Sequence, residues 1–167
     1  MENYTTVSLF KEVMGNYPTG VTVVTTVDGH HIPLGLTVNS FASVSIDPLL
    51  ILWSIDKSAS SYQSFKKIDK FAVHILSCDQ SEICNLFASK DTDRFEKCDW
   101  NLSEYNLPII AGVSGVLQCK TAKTIDAGDH TILIGEVVDI KNENKEPLLY
   151  HKRNVGKIPE EFYNNRK

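Results

Sequence analysis

The 167-residue chain has little of what commits a protein to a specialised class. It has no C-x-x-C pair: Cys78, Cys84, Cys98 and Cys119 stand apart. Neither a disulfide framework nor a structural zinc site with short paired ligand spacing is indicated, and the thiols read as reduced. No uncharged apolar run approaches the roughly 18 residues of a membrane span. The opening stretch MENYTTVSLFKE lacks the basic-then-apolar layout of a signal peptide, so a cytoplasmic location is expected. There is no excess of positive charge: 17 Lys+Arg against 21 Asp+Glu leave −4. That balance argues against nucleic-acid binding through phosphate neutralisation. The chain also lacks G-x-x-x-x-G-K-[ST], G-x-S-x-G, H-E-x-x-H and a helix-opening G-x-G-x-x-G. Nucleotide chemistry on a P-loop or Rossmann fold is thereby disfavoured.

What is present is an ordinary hydrophobic fraction, 42%, in a length that suits one domain over residues 1–167. Phe10, Val13, Met14 and Tyr17 share one helical face, and Gly15 to Pro18 supply the stop, so a short packed helix is expected. The β-branched run Val21 to Thr26, the turn pair Asp28-Gly29 and the stretch Leu34 to Val38 read as a hairpin. Leu49 to Ile55 reads as a buried strand, and Phe71 to Leu76, Gly115 to Thr121 and Thr131 to Ile140 as three more. Short helices fit between them. One carries Tyr62 and Phe65 behind a Ser58 or Ser60 cap, and another follows the Asp79-x-x-Glu82 capping box. A third begins near Pro159. Without regular strand–helix alternation, the pattern predicts a mainly β fold: an antiparallel barrel of about six strands with a few flanking short helices. Lys141 to Glu146 reads as a solvated loop.

The stretch Gly35-Leu36-Thr37-Val38-Asn39-Ser40-Phe41-Ala42-Ser43-Val44-Ser45 is dense in hydroxyls and amides between strands. Such groups hold a phosphate or the polar edge of a heterocycle, and they equally build an edge strand and a turn. Taken with Thr19 to Thr26 before it and Ile46-Asp47-Pro48-Leu49 after it, the stretch resembles the signature of the flavin reductase-like family, the short-chain NAD(P)H:flavin oxidoreductases. Further matches follow in order: Phe71 to Leu76, Gln80, Phe87-Ala88, Asp93-Arg94-Phe95, Gly128-Asp129-His130, Gly135-Glu136-Val137 and Pro147-Leu148-x-Tyr150. The resemblance runs from about Phe10 to Tyr150, and 158–167 form an extension beyond it.

The resemblance implies a six-stranded split barrel of Greek-key type that works as a homodimer and binds FMN or FAD. It implies flavin contacts at Thr37, Val38, Asn39, Ser40, Val44 and Ser45, with Pro18 and Thr19 lining the ring. It also implies a phosphate end at Lys57, Ser58 and Ser60, where the two serines serve equally as helix caps. Arg94 closes over the site or, on the plainer reading, pairs with Asp91 or Asp93. His130 is implied as the catalytic residue beside the nicotinamide, against the plainer reading of a hydrogen-bonded strand-edge histidine. His74 reads as structural. Hydride transfer between stacked rings asks for position more than for an acid or base, which suits a chain without a triad. The implied activity is reduction of FMN or FAD by NADH or NADPH, with reduced flavin passing to a separate oxygenase. Val155 stands where the family carries an aromatic residue, and this favours an alternative, an FMN-binding electron carrier without a dinucleotide site. A barrel of the same fold holding another cofactor is the third reading.

Overall fold

The computed structural model describes residues 5–164; residues 165–167 of the expected C-terminal extension lie outside the described residues. In chain order, helix α1 (Thr6–Gly15) leads into strands β1 (Thr19–Gly20), β2 (Thr22–Val27), β3 (Pro33–Val38), β4 (Ala42–Ile46) and β5 (Leu49–Asp56). Helix α2 (Tyr62–Phe65), strand β6 (Lys70–Ile75) and helix α3 (Ser81–Ala88) follow. After a 3-10 turn come the short strands β7 (Trp100–Leu102) and β8 (Pro108–Ile110) and the long hairpin β9 (Gly115–Ala127) and β10 (His130–Asn142). Strands β11 (Leu149–His151) and β12 (Asn154–Gly156) end the ordered β structure.

The main sheet is antiparallel throughout, in the order β3-β2-β6-β9-β10-β5-β4. It has seven strands where six were expected, because Ala42–Ile46 leaves the hydroxyl-rich turn and pairs with β5. The sheet curls so that its far strands meet. Leu34, Leu36 and Val38 of β3 pack on the same buried cluster as Ile51 and Trp53 of β5 and Leu133 of β10. The Ser40 hydroxyl ties the end of β3 to β5: it accepts from the Ser54 N–H at 2.9 Å and donates to the Ser54 carbonyl at 3.2 Å. No ladder joins the edge strands β3 and β4 to each other.

Inside the curl, the ring of Trp53 meets Phe65 and Phe71 edge-on, at 5.5 and 5.8 Å. Gly135 makes room for this packing, since a Cβ there would lie 2.5 Å from Phe71 Cζ. A second buried cluster forms on the other face of β2 and β6, where Val23, Ala72 and Leu76 meet Phe87, Leu107 and Leu148. Covered on both faces, β2 is buried along nearly its whole length, and its near-continuous Val/Thr run follows from that.

His74 of β6 is fully buried between these layers. The Ile110 N–H donates to its Nε2 at 3.2 Å, so Nδ1 carries the proton and donates to the Val23 carbonyl at 3.0 Å. The ring joins β6, β2 and β8 as a neutral cross-link, and burial pushes its pKa down to about 4. All four cysteines are free; burial raises the Cys119 thiol to about 12.

The expected helix ends are set differently. Residue Ser61 occupies the N-cap of α2 without a side-chain bond, so neither Ser58 nor Ser60 caps it. The Asp79–Glu82 capping box does not form. Asp79 instead accepts from the Ser77 hydroxyl, and Gln80 takes the cap position, reaching back to the Ser77 N–H and across to the Ala111 carbonyl. Near Pro159 there is one 3-10 turn, Glu160–Phe162, and no longer helix among the described residues. Helix α1 forms where its periodicity places it, capped by the Thr5 hydroxyl, yet its apolar face is not packed: Phe10, Val13 and Met14, and Tyr17 two residues past its end, are all at least half exposed. No helix among the described residues is long and apolar enough to cross a membrane.

Candidate functional site

Two concavities lie at opposite ends of β3. At its C-terminal end, a groove of about 890 Å³ runs between α1, the β1 segment, the Asn39–Ala42 turn and the β11–β12 hairpin. Phe10, Tyr17, Phe41 and Tyr150 supply aromatic surface to it, and Pro18, Thr19, Asn39 and Ser40 line it as well. The Thr19 hydroxyl is buried without a hydrogen-bond partner among the described residues, a polar atom left for something that enters.

At the N-terminal end of β3 sits a smaller hollow of about 250 Å³. The turn into α2 lines it with Ser60, Ser61 and Ser64, the segment before the 3-10 turn adds Lys90, Asp91 and Thr92, and the turn itself adds Arg94. The Arg94 guanidinium donates to the Gly35 carbonyl at 2.6 Å and also to the Ser89 carbonyl. It makes no ion pair with Asp91 or Asp93; Lys97 takes Asp91 instead. Burial pulls the guanidinium below its ordinary pKa, with Asp91 opposing. Its Nε remains buried and unpartnered. With the Asp91 carboxylate of the same wall taken up by Lys97, a half-buried cation with a spare donor among four hydroxyls is chemistry that suits an anion such as phosphate.

Residues 14–159 of the chain match the flavin reductase like domain. The chain belongs to the flavin reductase-like family. It is 45% identical over 142 residues to the reductase component of the flavin-dependent trigonelline monooxygenase of Acinetobacter baylyi, covering 85% of this chain and 46% of that protein. It is 42% identical to SmoA, the FMN reductase (NADH) of Agrobacterium fabrum, over 84% of this chain and 80% of that one. The chain thus spans about half of the first relative and four fifths of the second. Among solved structures, the NADH:FAD oxidoreductase SgcE6 of Streptomyces globisporus, in complex with NAD and FAD fragments, superposes with a TM-score of 0.85. It is 36% identical, and the match covers 92% of each chain.

In this flavin reductase-like chain the expected site residues divide into groups. Pro18, Thr19, Asn39 and Ser40 come together on the groove, and Ser60 and Arg94 on the hollow. Thr37, Val38, Val44 and Ser45 line neither. The Thr37 hydroxyl donates to the Cys84 carbonyl at 2.8 Å, Val38 packs on the core, and Val44 and Ser45 lie on the edge strand β4. Lys57 turns to the β9–β10 hairpin tip, where it pairs with Asp126 and donates to the Gly128 carbonyl at 2.7 Å. The hydrogen bond that the Lys57 ammonium donates to Asp126 raises its pKa. Ser58 is exposed beside it, its N–H held by Asp56 at 2.7 Å. His130 stands at the same tip, its Nδ1 2.7 Å from Asp129 Oδ1, and lines neither concavity of the single chain. Reasoning from the sequence missed Ser61, Ser64 and Lys90 of the hollow and the aromatic walls of the groove. Runs of serine before a helix carry a capping signal that masks any other use.

Proposed function

We propose that the chain is an NAD(P)H-dependent flavin reductase that hands reduced flavin to a partner monooxygenase. The observation that carries this is the pairing of two sites along β3: a hydroxyl-lined hollow with an unpartnered Arg94 Nε, and a groove whose buried Thr19 hydroxyl is equally unpartnered. One suits the phosphate of FMN or the pyrophosphate of FAD, the other the flat, polar-edged flavin ring. The names of the relatives support the same reading.

Bound flavin supplies a ring that accepts a hydride from the nicotinamide of NAD(P)H. This chain's residues bind and orient. The Arg94 guanidinium and the Ser60, Ser61 and Ser64 hydroxyls hold the anionic end, and the Thr19 and Asn39 polar atoms meet the ring edge while Pro18 flanks it. The hydroxyls of Thr37 and Ser40 set the shape of the site by fixing α3 and β5 against β3. No acid or base is required of the protein for a hydride step between stacked rings.

The curled seven-stranded sheet stands, on this reading, for the family's split barrel, and the free thiols suit a reducing compartment such as the cytoplasm. A second copy of the chain covers α1 and β4, whose exposed Val13 (66%), Phe10 (65%) and Ile46 (87%) no described residue shields. Sedimentation equilibrium should give a dimer, and Val13→Glu should weaken it. A parent that sediments as a monomer at micromolar concentration removes the dimer.

Oxidation of NADH and NADPH with FMN or FAD added tests the activity itself; no oxidation of either dinucleotide with either flavin would favour the carrier reading. The same assay tests His130, whose Nε2 is left open by the Nδ1–Asp129 contact. His130→Ala should lower kcat/KM for the dinucleotide about tenfold, the scale of one lost polar contact, with flavin affinity little changed. Parent-like kinetics in this variant would make His130 a strand-edge residue.

A further inference from the structure

The hairpin of β11 and β12 closes through the two residues Lys152 and Arg153, between the paired His151 and Asn154. Both have positive φ, +48° and +66°. A two-residue turn with two positive φ values belongs to glycine and asparagine, because a side-chain Cβ crowds the following carbonyl there. Two long cationic side chains in such a turn fold against local preference, and the fold tolerates them where they serve something else. The Asn154 side-chain amide steadies the turn, donating to the Lys152 carbonyl at 3.0 Å.

These two residues line the large groove, and so does Lys11 of α1. Among the described residues, no aspartate or glutamate lines that groove, although the chain as a whole carries −4. Among the described residues, none of the three cations is in an ion pair; the ion pairs present join Lys57, Lys97, His130 and Lys141 to Asp126, Asp91, Asp129 and Glu143. Unpaired cations around a concave wall raise the local concentration of anions. The flavin reading already gives the flavin's own phosphate a cation at the far end of β3, in the Arg94 hollow. The cations at this end are therefore left for a second anionic ligand.

We propose that the Lys152–Arg153 turn, with Lys11 of α1, is a clamp for the phosphate groups of the pyridine dinucleotide, and so sets this chain's affinity for its hydride donor. The proposal rests on the reductase reading and adds to it. It also supplies a dinucleotide contact on the loop where Val155 replaces an aromatic residue. The phosphates concerned are the pyrophosphate common to NADH and NADPH or the 2′-phosphate of NADPH alone.

The test is the double variant Lys152→Asn/Arg153→Gly, which removes two charges and gives the turn residues that its φ values favour. Binding of NADH and of NADPH to parent and variant is measured by calorimetry, beside the KM values and the thermal midpoint. Dinucleotide affinity should fall at least about tenfold, as two charge-assisted contacts are lost, while the thermal midpoint holds or rises and flavin affinity is unchanged. Equal losses for NADH and NADPH place the pyrophosphate in the clamp, and a larger loss for NADPH places the 2′-phosphate there. A parent whose dinucleotide KM does not rise with ionic strength, or a variant within twofold of the parent, would overturn the clamp. So would a variant that loses flavin in place of dinucleotide. A parent that binds dinucleotide without oxidising it, while the variant does not bind, would leave the clamp standing and remove the reductase reading. A parent that binds no dinucleotide removes both.

Discussion

Replacing Arg94 with alanine should weaken FMN binding by about ten- to a hundredfold while leaving riboflavin within a few-fold, because a hydrogen bond to a charged group contributes roughly 1.5–3 kcal/mol. Riboflavin has the same ring and ribityl chain and no phosphate, so the ratio of the two losses isolates the anion. That ratio matters because Arg94 also donates to the Gly35 and Ser89 carbonyls and helps to seat the segment before the 3-10 turn. A loosened segment would weaken both ligands together. Arg94→Lys keeps the charge but lacks the planar fork that serves both carbonyls and a ligand, so it should recover only part of the FMN affinity. Lys57→Ala, by contrast, should leave that ratio near its parent value, since its ammonium is already held by Asp126 and the Gly128 carbonyl. Equal losses of FMN and riboflavin in Arg94→Ala, measured by fluorescence titration, would take the phosphate out of the hollow.

The second large effect is a loss of stability in mild acid. His74 is neutral in the fold with a pKa pushed down to about 4, against 6.5 for an ordinary histidine. The unfolded chain therefore binds a proton at this residue between pH 6.5 and 4 that the folded chain does not. The contribution is fully present above pH 6.5 and is lost progressively as the pH falls toward 4, amounting to about 3 kcal/mol at the bottom of that window. The exposed carboxylates held low by hydrogen bonds, such as Asp28 under the Ile32 and His30 N–H groups, act only below the ordinary carboxylate range. Their window hardly overlaps that of His74. Urea midpoints of the parent should fall steadily from pH 7 to pH 4.5. His74→Gln should be less stable at pH 7 through its lost cross-links, yet show a flatter slope over the same range. Parallel slopes for parent and variant would assign the acid loss to other groups.

The regular part of the fold was open to reading because its pattern is local. Val21 to Thr26, Leu49 to Ile55 and Thr131 to Ile140 are β-branched or alternating runs, and each became a strand with bounds within a few residues of those expected. Strand β4 was harder, since Ala42–Ile46 has three exposed positions out of its first three and earns its hydrogen bonds only from β5. The helical face of Phe10, Val13, Met14 and Tyr17 shows that periodicity fixes which side of a helix is apolar and not what will cover it. Site residues divide in the same way. A lysine followed by serines reads alike whether its ammonium meets a phosphate or Asp126, and only the fold of the β9–β10 hairpin tip decides between them. Lys152 and Arg153 left no trace at all, because a turn with two positive φ values announces itself through glycine or asparagine and this one has neither.

Helix α1 does two things with one set of side chains. Phe10 and Met14 belong to its uncovered apolar face and, with the exposed Tyr17 just past its end, line the large groove. On the proposed dimer, self-association and occupation of the groove would be linked equilibria: whatever orders α1 for one lowers the cost of the other, and by the same factor in both directions. Dilution should loosen the grip on the groove's ligand, and a saturating ligand should hold two copies together at concentrations where the empty chains part. A dimer built this way would carry its own sensor of how much of it is present.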